Sequence, residues 1–410
     1  GELAGRANRL REKGVEVTLG SDGLPPGMFD VCIASPGIPS DSAWIRDVEA
    51  RGIEVLSELE LGATRCRCPM VAVTGSNGKS TLVKLCKESL AAAGWRVDMA
   101  GNYGTPLSEF AAKSGGFDGV VVEVSSFQLE KVKTFRPGVG ALLNVNPNHL
   151  NRHGDYATYV KIKSRLFARM GQADTGVVLD VHFEQVKALA GGRNRWVTFG
   201  LSAGADYGYE AGAVHGRRSA RRRAVSVGGT LFANDVMGTT AAAAVAVVEA
   251  CGQDARCVET AARGFTPLPH RMNRIAVIRE VSFVDDSKAT NLAAMTAALE
   301  MCDRPVRLIA GGQLKETDLA PAIRFLSGKV KGVYLIGEAA PRMADAWGQT
   351  VPCRLCECLD KALGEAWRDA RPGEAILLSP ACASFDQFKS YEDRGRCFAA
   401  WVEAMNKEKA

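Results

Sequence analysis

The segment that decides the fold is residues 70–81, which read MVAVTGSNGKST. The first five residues form an apolar run typical of a buried parallel strand. The next six carry the pattern Gly-x-x-Gly-Lys-Ser, in which glycines allow backbone N–H groups to turn inward around phosphate oxygens. A longer form of this motif has glycine six residues before the lysine, where this chain has Val73. The strand before the loop and the helix after it still favour nucleotide binding.

The side chains of this loop have different expected roles in nucleotide binding. Lys79 is expected to reach the β- and γ-phosphates, and the Ser80 hydroxyl is expected to ligate Mg²⁺. The N-terminus of the following helix adds partial positive charge, and the spacing of apolar residues predicts that this helix ends near Gly94. Further nucleotide contacts are assigned to Gly75, Ser76, Asn77, Gly78 and Thr81.

Two polar residues follow neighbouring apolar runs. Glu123 lies at the end of the predicted strand 120–124, at the edge where open α/β sheets bind ligands. A charged side chain in an apolar run needs a partner because its desolvation is costly, so Glu123 is a candidate metal ligand. His149 follows the next strand, 140–145, and the residues alone leave open whether it is a ligand or a packed histidine. Lys161 and Lys163 together read as an ordinary basic helix face.

The rest of the chain alternates predicted strands with helices. Strands are predicted at 15–19, 29–34 and 52–56, and later at 281–284, 306–310, 332–336 and 375–378. This alternation predicts an α/β fold of doubly wound parallel sheets, with domains at residues 1–65, 66–267 and 268–410. A glycine-rich turn is missing before residue 15, so the first domain is either atypical or lacks its first βα unit. Residues 205–230 read as a surface β-excursion.

Composition limits the class of protein. The 410 residues are 46% apolar and 24% charged, which suits a globular protein and excludes a disordered or collagenous chain. Net charge is +5, and the cluster Arg217–Arg223 holds five arginines, so nucleic acid is not expected as the main partner. No apolar run reaches the roughly 18 residues of a membrane span, and the first residues do not resemble a signal peptide.

The twelve cysteines are predicted to be reduced thiols of a cytosolic protein. Cys353, Cys356 and Cys358 form a Cys-x-x-Cys-x-Cys cluster. A fourth ligand and a second paired motif are missing there, so zinc binding is not favoured.

The order of the motifs resembles the Mur ligase family, ATP-dependent amino-acid-adding enzymes of bacterial cell-wall synthesis. The matching stretches cover nearly the whole chain. They are residues 74–81 (TGSNGKST), 101–104 (GNYG), 123–129 (EVSSFQL), 148–152 (NHLNR), 268–271 (LPHR), 286–291 (DSKATN) and 379–389 (SPACASFDQFK). Within the family, 125–129 and the last stretch are most similar to the members that add D-glutamate to UDP-N-acetylmuramoyl-L-alanine.

The resemblance implies a three-domain enzyme: a uridine-nucleotide domain, a central ATPase and a mobile Rossmann-like domain. It also implies a monomer in the bacterial cytoplasm that uses ATP and two Mg²⁺ sites. The resemblance assigns catalysis to Lys79, His149, Lys163 and Lys288. It assigns the metal sites to Ser80, Glu123, His149 and Lys163. Lys163 falls where the family carries a carbamylated lysine, which replaces an ammonium with an anionic oxygen ligand for Mg²⁺.

Other contacts carried over by resemblance involve both substrates and the nucleotide. The uridine substrate is assigned to Gly37, Asn102 and Ser125. The nucleotide is further assigned to Asn234, Arg271 and Asp286. The region that receives D-glutamate is assigned to Lys288, Thr290, Lys315, Ser384, Phe385 and Tyr391.

The chain departs from the family pattern in places. Asn148 and Asn151 stand where Asp is frequent beside the histidine, which removes two negative charges near the metals. Met237 replaces the second residue of an Asn-x-x-Asn pair that begins at Asn234. A missing first βα unit would remove several uridine contacts.

Three alternatives stay open at this point. One is another amide ligase of the same kind, such as a folylpolyglutamate synthase. The second is a phosphate-loop NTPase that acts as a switch or scaffold. The third is a catalytically weak copy that lacks an N-terminal βα unit.

Overall fold

Short apolar runs form the strands of three sheets in the part of the chain that the structure describes. This computed structural model describes residues 2–21, 23–217 and 224–407. The sheets have two, nine and six strands. They span residues 31–57, 70–226 and 273–378, while the domain limits after residues 65 and 267 remain predictions.

The first sheet is a single parallel pair. Its elements are α1 (Glu2–Glu12), β1 (Val31–Ala34), α2 (Ala43–Ala50), β2 (Glu54–Ser57) and α3 (Glu58–Arg65). The strand predicted at 15–19 is wrong, since these residues are irregular and Val15 and Leu19 are exposed. Alternating apolar residues form a strand only where a neighbouring strand completes the hydrogen-bond ladder, and β1 pairs only with β2 among the described residues.

The second sheet carries the predicted phosphate loop. Its strand order is β11-β10-β9-β8-β7-β6-β3-β5-β4, and the pairs from β4 to β9 are parallel. The elements up to the sixth strand are β3 (Met70–Thr74), α4 (Lys79–Ala92), β4 (Val97–Gly101), α5 (Leu107–Ala111), β5 (Gly119–Glu123), α6 (Ser126–Leu129) and β6 (Val139–Leu142). The chain adds β4 and β5 on one side of β3 and β6 to β8 on the other. A ligand-binding crevice is expected where the order reverses.

The remaining elements of this region complete both faces of the sheet. They are α7 (Leu150–His153), α8 (Tyr156–Ser164), β7 (Thr175–Leu179), α9 (Phe183–Ala190), β8 (Arg195–Gly200), β9 (Tyr207–Glu210), β10 (Ala213–Gly216), β11 (Val225–Ser226), α10 (Asp235–Ala250) and α11 (Arg256–Gly264). Helices α4, α10 and α11 share one apolar core, and α5 and α8 pack into the other. The β-structure predicted at 205–230 is present as β9–β11, but these strands continue the sheet and bury residues in its core, so they are not a surface excursion. Arg217 is exposed, and Arg218 to Arg223 lie outside the described residues.

The third sheet has the order β12-β13-β17-β14-β15-β16, with β12 antiparallel at one edge. Its elements are β12 (Asn273–Ile278), β13 (Val281–Asp285), α12 (Leu292–Met301), β14 (Val306–Gly311), α13 (Ile323–Leu326), β15 (Val330–Ile336), α14 (Ala340–Trp347), β16 (Cys353–Leu355), α15 (Leu359–Asp369), β17 (Ala375–Leu378) and α16 (Tyr391–Lys407). Helices α12 to α14 cover one face, and α15 and α16 cover the other. The predicted doubly wound α/β architecture is therefore present in both large sheets.

Helix α10 packs closely against β9 because one of its residues has no side chain. A Cβ placed on Gly238 would lie 2.4 Å from ring atoms of Tyr209. Gly264, the last residue of α11, has no atom within 4 Å of such a Cβ. The two helical glycines therefore differ in packing.

We expect Gly238→Ala to lower the free energy of unfolding by about 1–3 kcal/mol, because the tyrosine ring must move out of its packed position. Gly264→Ala is the matched control and should not destabilise the protein. Chemical denaturation of both variants measures the difference. Equal stabilities for the two variants would contradict the close packing of α10 on β9.

Candidate active site

The predicted phosphate loop follows β3, between the carboxyl ends of β5 and β6. Gly78 is the residue before α4 and has a left-handed φ of 79°, which favours glycine. A Cβ on Gly78 would also lie 2.7 Å from the side chain of Leu143. The glycine is therefore required both by the backbone turn and by the packing beneath it.

The side chain of Asn144, just after β6, holds the loop in shape. Its Oδ1 accepts hydrogen bonds from the backbone N–H groups of Ser76 and Asn77, both at 3.0 Å. Its Nδ2 donates to the carbonyl oxygen of Asn77 at 3.1 Å. The Ser76 hydroxyl in turn contacts Asn146 backbone groups at 2.9 Å and the Tyr159 hydroxyl at 3.1 Å. Sequence reasoning missed Asn144 and Tyr159, although a polar residue at the end of an apolar strand is a usable signal.

Lys79 and Ser80 begin helix α4 at the open side of the loop. The Lys79 ammonium donates to the carbonyl oxygens of Gly75 and Ser76, at 2.9 and 3.1 Å. Burial lowers the pKa of Lys79, the charge of Arg271 lowers it further, and Glu123 opposes both. Ser80 is buried, and its hydroxyl accepts a hydrogen bond from Arg271 Nη2 at 2.8 Å.

Glu123 ends β5 and is buried, with 3% of its surface exposed. One carboxylate oxygen, Oε1, accepts a hydrogen bond from Asn102 Nδ2 at 2.7 Å. The backbone N–H of Asn102 also donates to the carbonyl oxygen of Glu123, at 2.8 Å. The other carboxylate oxygen, Oε2, is buried without a hydrogen-bond partner among the described residues. A buried carboxylate oxygen of this kind is suited to a cation.

Helix α8 turns Lys163 inward and leaves Lys161 exposed. The Lys163 Nζ donates to the carbonyl oxygen of Gly75 at 2.9 Å and to Thr74 Oγ1 at 3.4 Å. Burial lowers the pKa of Lys163 well below its ordinary value, and the charge of Lys79 acts in the same direction. The neutral amine is therefore favoured at this position.

His149 precedes α7 in a left-handed conformation, with φ of 55°. Its ring meets the ring of Phe127 edge to face, with 4.8 Å between the centroids. Burial lowers the pKa of His149 to about 3, followed by the charges of Lys315 and Lys79. A neutral imidazole has a free lone pair and can ligate a metal ion. The neighbouring Asn148 has a buried Oδ1 without a partner among the described residues.

Residues of the third sheet reach this loop directly. The side-chain amides of Asn77 and Asn291 exchange hydrogen bonds of 3.1 and 3.4 Å across 214 positions of sequence. Lys288 Nζ lies 3.8 Å from the ring centroid of Tyr391. Burial, and next the charge of Arg271, lower the pKa of Lys288 to about 8. Residues that follow strands of both large sheets therefore meet around the loop.

Two residues predicted to contact the nucleotide use their polar atoms within the fold. Asp286 accepts hydrogen bonds from the Met272 N–H at 3.2 Å and from the Ser379 hydroxyl at 2.8 Å. Burial raises the pKa of Asp286 to about 7. Asn234 caps α10 by accepting from the N–H of Met237 at 3.0 Å, and its Nδ2 donates to the Leu231 carbonyl. Their nucleotide contacts remain predictions.

The predicted uridine-substrate residues lie in separate turns. The Gly37 and Ile38 carbonyls accept hydrogen bonds from Arg152 at 3.5 and 3.0 Å, and Arg152 pairs with Glu130 at 2.7 Å. Ser125 caps α6 in a reciprocal arrangement with a glutamine three residues later. Of these residues, Asn102 is the one linked to the region of the phosphate loop, because its side chain is hydrogen-bonded to Glu123.

The residues predicted to receive D-glutamate follow strands of the third sheet. Lys315 lies after β14, and burial lowers its pKa. The charge of Lys315 is one of those that lower the pKa of His149, so Lys315 lies on the side of the third sheet that faces the phosphate loop. Ser384 is buried, whereas 70% of the Phe385 surface is exposed. Thr290 lies just before α12 and donates its backbone N–H to the Lys288 carbonyl.

Two classes of feature are missing from the described ranges 2–21, 23–217 and 224–407. They contain no group of three or more His, Cys, Asp or Glu side chains placed to hold a metal ion, and this includes Cys353, Cys356 and Cys358. The same ranges also contain no helix with the length and apolar character needed to cross a bilayer.

Comparisons with known proteins place this site in a family. Residues 73–239 match the Mur ligase middle domain, and residues 270–382 match the Mur ligase glutamate ligase domain. Among solved structures, the MurF ligase from Thermotoga maritima in complex with ADP has a TM-score of 0.66 at 17% identity, covering 89% of this chain and 92% of its own. The E. coli FolC in complex with DHPP and ADP has a TM-score of 0.61 at 17% identity, covering 87% and 94%. The chain has the fold of the Mur ligases.

Sequence relatives narrow the assignment. The UDP-N-acetylmuramoylalanine–D-glutamate ligase of Geotalea uraniireducens is 36% identical over 387 residues, covering 92% of this chain and 84% of the relative. The ligase of the same name from Salinibacter ruber is 36% identical over 420 residues, covering 98% and 90%. The chain therefore belongs to the family of UDP-N-acetylmuramoylalanine–D-glutamate ligases, and the resemblance predicted from the motifs is confirmed.

We expect His149 to stay neutral well below pH 6.5, because its charged form is desolvated and faces several cations. The folded state then binds fewer protons than the unfolded state, so His149 lowers stability progressively as the pH falls below the unfolded value. Proton NMR of the imidazole resonances measures this, with His149→Gln providing the assignment. A His149 pKa near 6.5, or identical loss of stability between pH 7 and pH 5 in both proteins, would contradict the site geometry.

Proposed function

We propose that the protein is an ATP-dependent amide ligase that joins D-glutamate to UDP-N-acetylmuramoyl-L-alanine and releases ADP and phosphate. This step belongs to the synthesis of peptidoglycan precursors, so we place the protein in the bacterial cytoplasm, as a monomer. The relatives bearing this name support the proposal over most of their length. The observation that carries it is the phosphate loop enclosed by the third sheet, with Asn77 bonded to Asn291 and Ser80 to Arg271.

ATP binding is supported by the chemistry of the loop. The backbone N–H groups and the start of α4 provide partial positive charge for phosphate oxygens. Lys79 can exchange the two loop carbonyls that it contacts for the β- and γ-phosphates. Arg271 adds a second cation from the linker to the third sheet. These groups favour the charge that develops on the transferred phosphoryl group.

The residues present fit a divalent cation. Glu123 offers a buried carboxylate oxygen that no described residue contacts by a hydrogen bond, Ser80 offers a hydroxyl, and His149 offers a neutral imidazole. We assign the two Mg²⁺ sites to these three residues and Lys163. When bound, Mg²⁺ neutralises phosphate charge and orients the γ-phosphoryl group.

We further propose that Lys163 is carbamylated. The neutral amine attacks carbon dioxide, a C–N bond forms, and one proton is released, which leaves an anionic carbamate. Burial and the charge of Lys79 favour the neutral amine that this reaction needs. The product adds two oxygen ligands beside Glu123 and gives the side chain the negative charge that attracts Mg²⁺. Its position on the inward face of α8 distinguishes Lys163 from Lys161.

Amide formation then proceeds through an acyl phosphate. The terminal carboxylate of the uridine substrate attacks the γ-phosphorus, and ADP leaves. The neutral D-glutamate amine attacks the carbonyl carbon, its nitrogen loses a proton, and the tetrahedral intermediate expels phosphate. Lys79 and Lys288 are placed to stabilise oxygen charge, while the enclosed cleft holds the reactants together and excludes water.

The substrates are assigned to opposite sides of this cleft. We assign the uridine substrate to Gly37, Asn102 and Ser125, and further nucleotide contacts to Asn234, Arg271 and Asp286. The D-glutamate site is assigned to the residues at the carboxyl edge of the third sheet and in the segment after it. They are Lys288, Thr290, Lys315, Ser384, Phe385 and Tyr391.

The direct test is phosphate release by the purified protein with ATP, Mg²⁺ and UDP-N-acetylmuramoyl-L-alanine, across a panel of amino acids. We expect release to require D-glutamate and to fall by about 100- to 1,000-fold or more in Lys79→Ala, because an essential phosphate contact is lost. Release with a folate substrate and L-glutamate would instead indicate a folylpolyglutamate synthase. Hydrolysis stimulated only by a protein partner would indicate an NTPase switch.

We expect Lys163→Ala to reduce turnover by about 100-fold or more, since the variant loses an anionic metal ligand. Formate or acetate at high concentration should restore part of the activity by supplying the missing oxygens. Lys161→Ala is the matched control and should retain normal turnover. Full activity of Lys163→Ala without added carboxylate would refute the assigned role.

A further inference from the structure

Glu316 lies among the residues assigned to D-glutamate, although no motif singled it out. It follows Lys315 in the segment after β14. Its carboxylate Oε1 accepts the backbone N–H of Leu292 at 3.0 Å, two residues after Thr290. Its charge also acts on the Cys382 thiol, whose pKa is raised by burial first and by Glu316 next. Three residues before Glu316, Gln313 exchanges backbone hydrogen bonds of 2.8 and 3.0 Å with Ala383, so the segment of Glu316 runs between the start of α12 and the segment that carries Ser384.

The position is also close to the phosphate loop. Leu292 directly follows Asn291, whose amide bonds to Asn77. The charge of the adjacent Lys315 acts on His149 of the second sheet. Glu316 thus belongs to the cleft between the two large sheets rather than to the outer surface of the third.

The two oxygens of the Glu316 carboxylate differ in their hydrogen bonds. Oε1 caps helix α12, but Oε2 is buried and has no hydrogen-bond partner among the described residues. A buried carboxylate oxygen costs free energy unless a donor or cation completes it. The N–H groups of Lys315 and Glu316 and the charge of Lys315 also act on this carboxylate. None of them completes Oε2 with a hydrogen bond within the described residues, so this oxygen is available to a ligand.

The incoming amino acid brings the missing donor. Amino acids bind as zwitterions, so the site must accept two carboxylates and one ammonium group. Lys288 and Lys315 suit the carboxylates, but the ammonium requires an acceptor. Asp285 is occupied by His270 and the Ser287 N–H, and Asp286 by the Met272 N–H and Ser379. Glu316 is the carboxylate beside Thr290 and Lys315 that keeps a buried oxygen free.

Two other acidic side chains of this region lie beside different groups. Glu392 is hydrogen-bonded to Tyr391 and Ser390. Asp386, like Glu316, has one buried oxygen without a partner among the described residues, but its other oxygen accepts the Glu338 N–H, which places it beside the turn after β15 and not beside the start of α12.

We propose that Glu316 Oε2 accepts a hydrogen bond from the ammonium group of the incoming amino acid and thereby fixes the amine that will attack the acyl phosphate. The inference rests on the proposed function and adds the residue that selects for an amine at this position. It predicts that Glu316 discriminates an amino acid from the same dicarboxylate without its amino group.

The test compares D-glutamate with glutarate, which keeps both carboxylates and lacks the ammonium. In Glu316→Gln the amide oxygen can still cap α12, while the negative charge is removed. We expect the KM for D-glutamate to rise about 10- to 100-fold, as for loss of a charge-assisted hydrogen bond. The KM for ATP should change less than twofold, and the Ki of glutarate as a competitor of D-glutamate should stay the same or fall. Glu316→Asp should recover part of the loss.

Controls separate the possible failures. Glu338→Gln removes an exposed carboxylate from the same sheet and should leave all three constants unchanged. Equal weakening of D-glutamate and glutarate in Glu316→Gln would overturn the proposal, because Glu316 would then act only through Lys315 or α12. An unchanged KM for D-glutamate would overturn it as well. If the wild-type protein releases no phosphate with D-glutamate, the proposed function fails first and the inference falls with it.

Discussion

The physical constraint behind this site is an excess of basic side chains in a place with little access to water. Lys163 is buried and Lys79 and Arg271 are half-buried at the end of β3, where Glu123 is the carboxylate whose charge opposes theirs on both lysines. Cations are costly to desolvate, so the two lysines have lowered pKa values. A polyanion is the ligand that offsets such an arrangement. The same crowding of basic side chains favours the neutral form of Lys163. Phosphate binding and the proposed carbamylation therefore have one electrostatic cause.

Much of this could be predicted from the sequence where the signal is local. The strand, loop and helix at 70–92 follow from apolar runs and glycine spacing, and Glu123 is conspicuous as a charge inside an apolar strand. By contrast, Lys163 reads as part of a basic helix face until α8 is seen to turn it inward. Asn144 has no motif, because its role depends on β6 lying beside β3.

The sequence is less informative where distant segments must meet. The strand expected at 15–19 has the right residues, but the described part of the chain offers it no neighbouring strand to pair with, and it stays irregular. Asn234 and Asp286 have the right chemistry for a nucleotide, yet a helix cap and two internal hydrogen bonds engage them. The Asn77–Asn291 pair depends on how the second and third sheets face each other, which no local pattern encodes.

The shape of the loop is held by side chains of the protein itself, because Asn144 bonds three of its backbone groups and Lys79 bonds two of its carbonyls. The conformational entropy of ordering these residues is therefore lost when the chain folds, not when ATP arrives. The nucleotide therefore binds a preorganised loop rather than a flexible one. The affinity for ATP then depends mainly on the contacts and water molecules exchanged at the phosphates. Ordering of the protein contributes little to it.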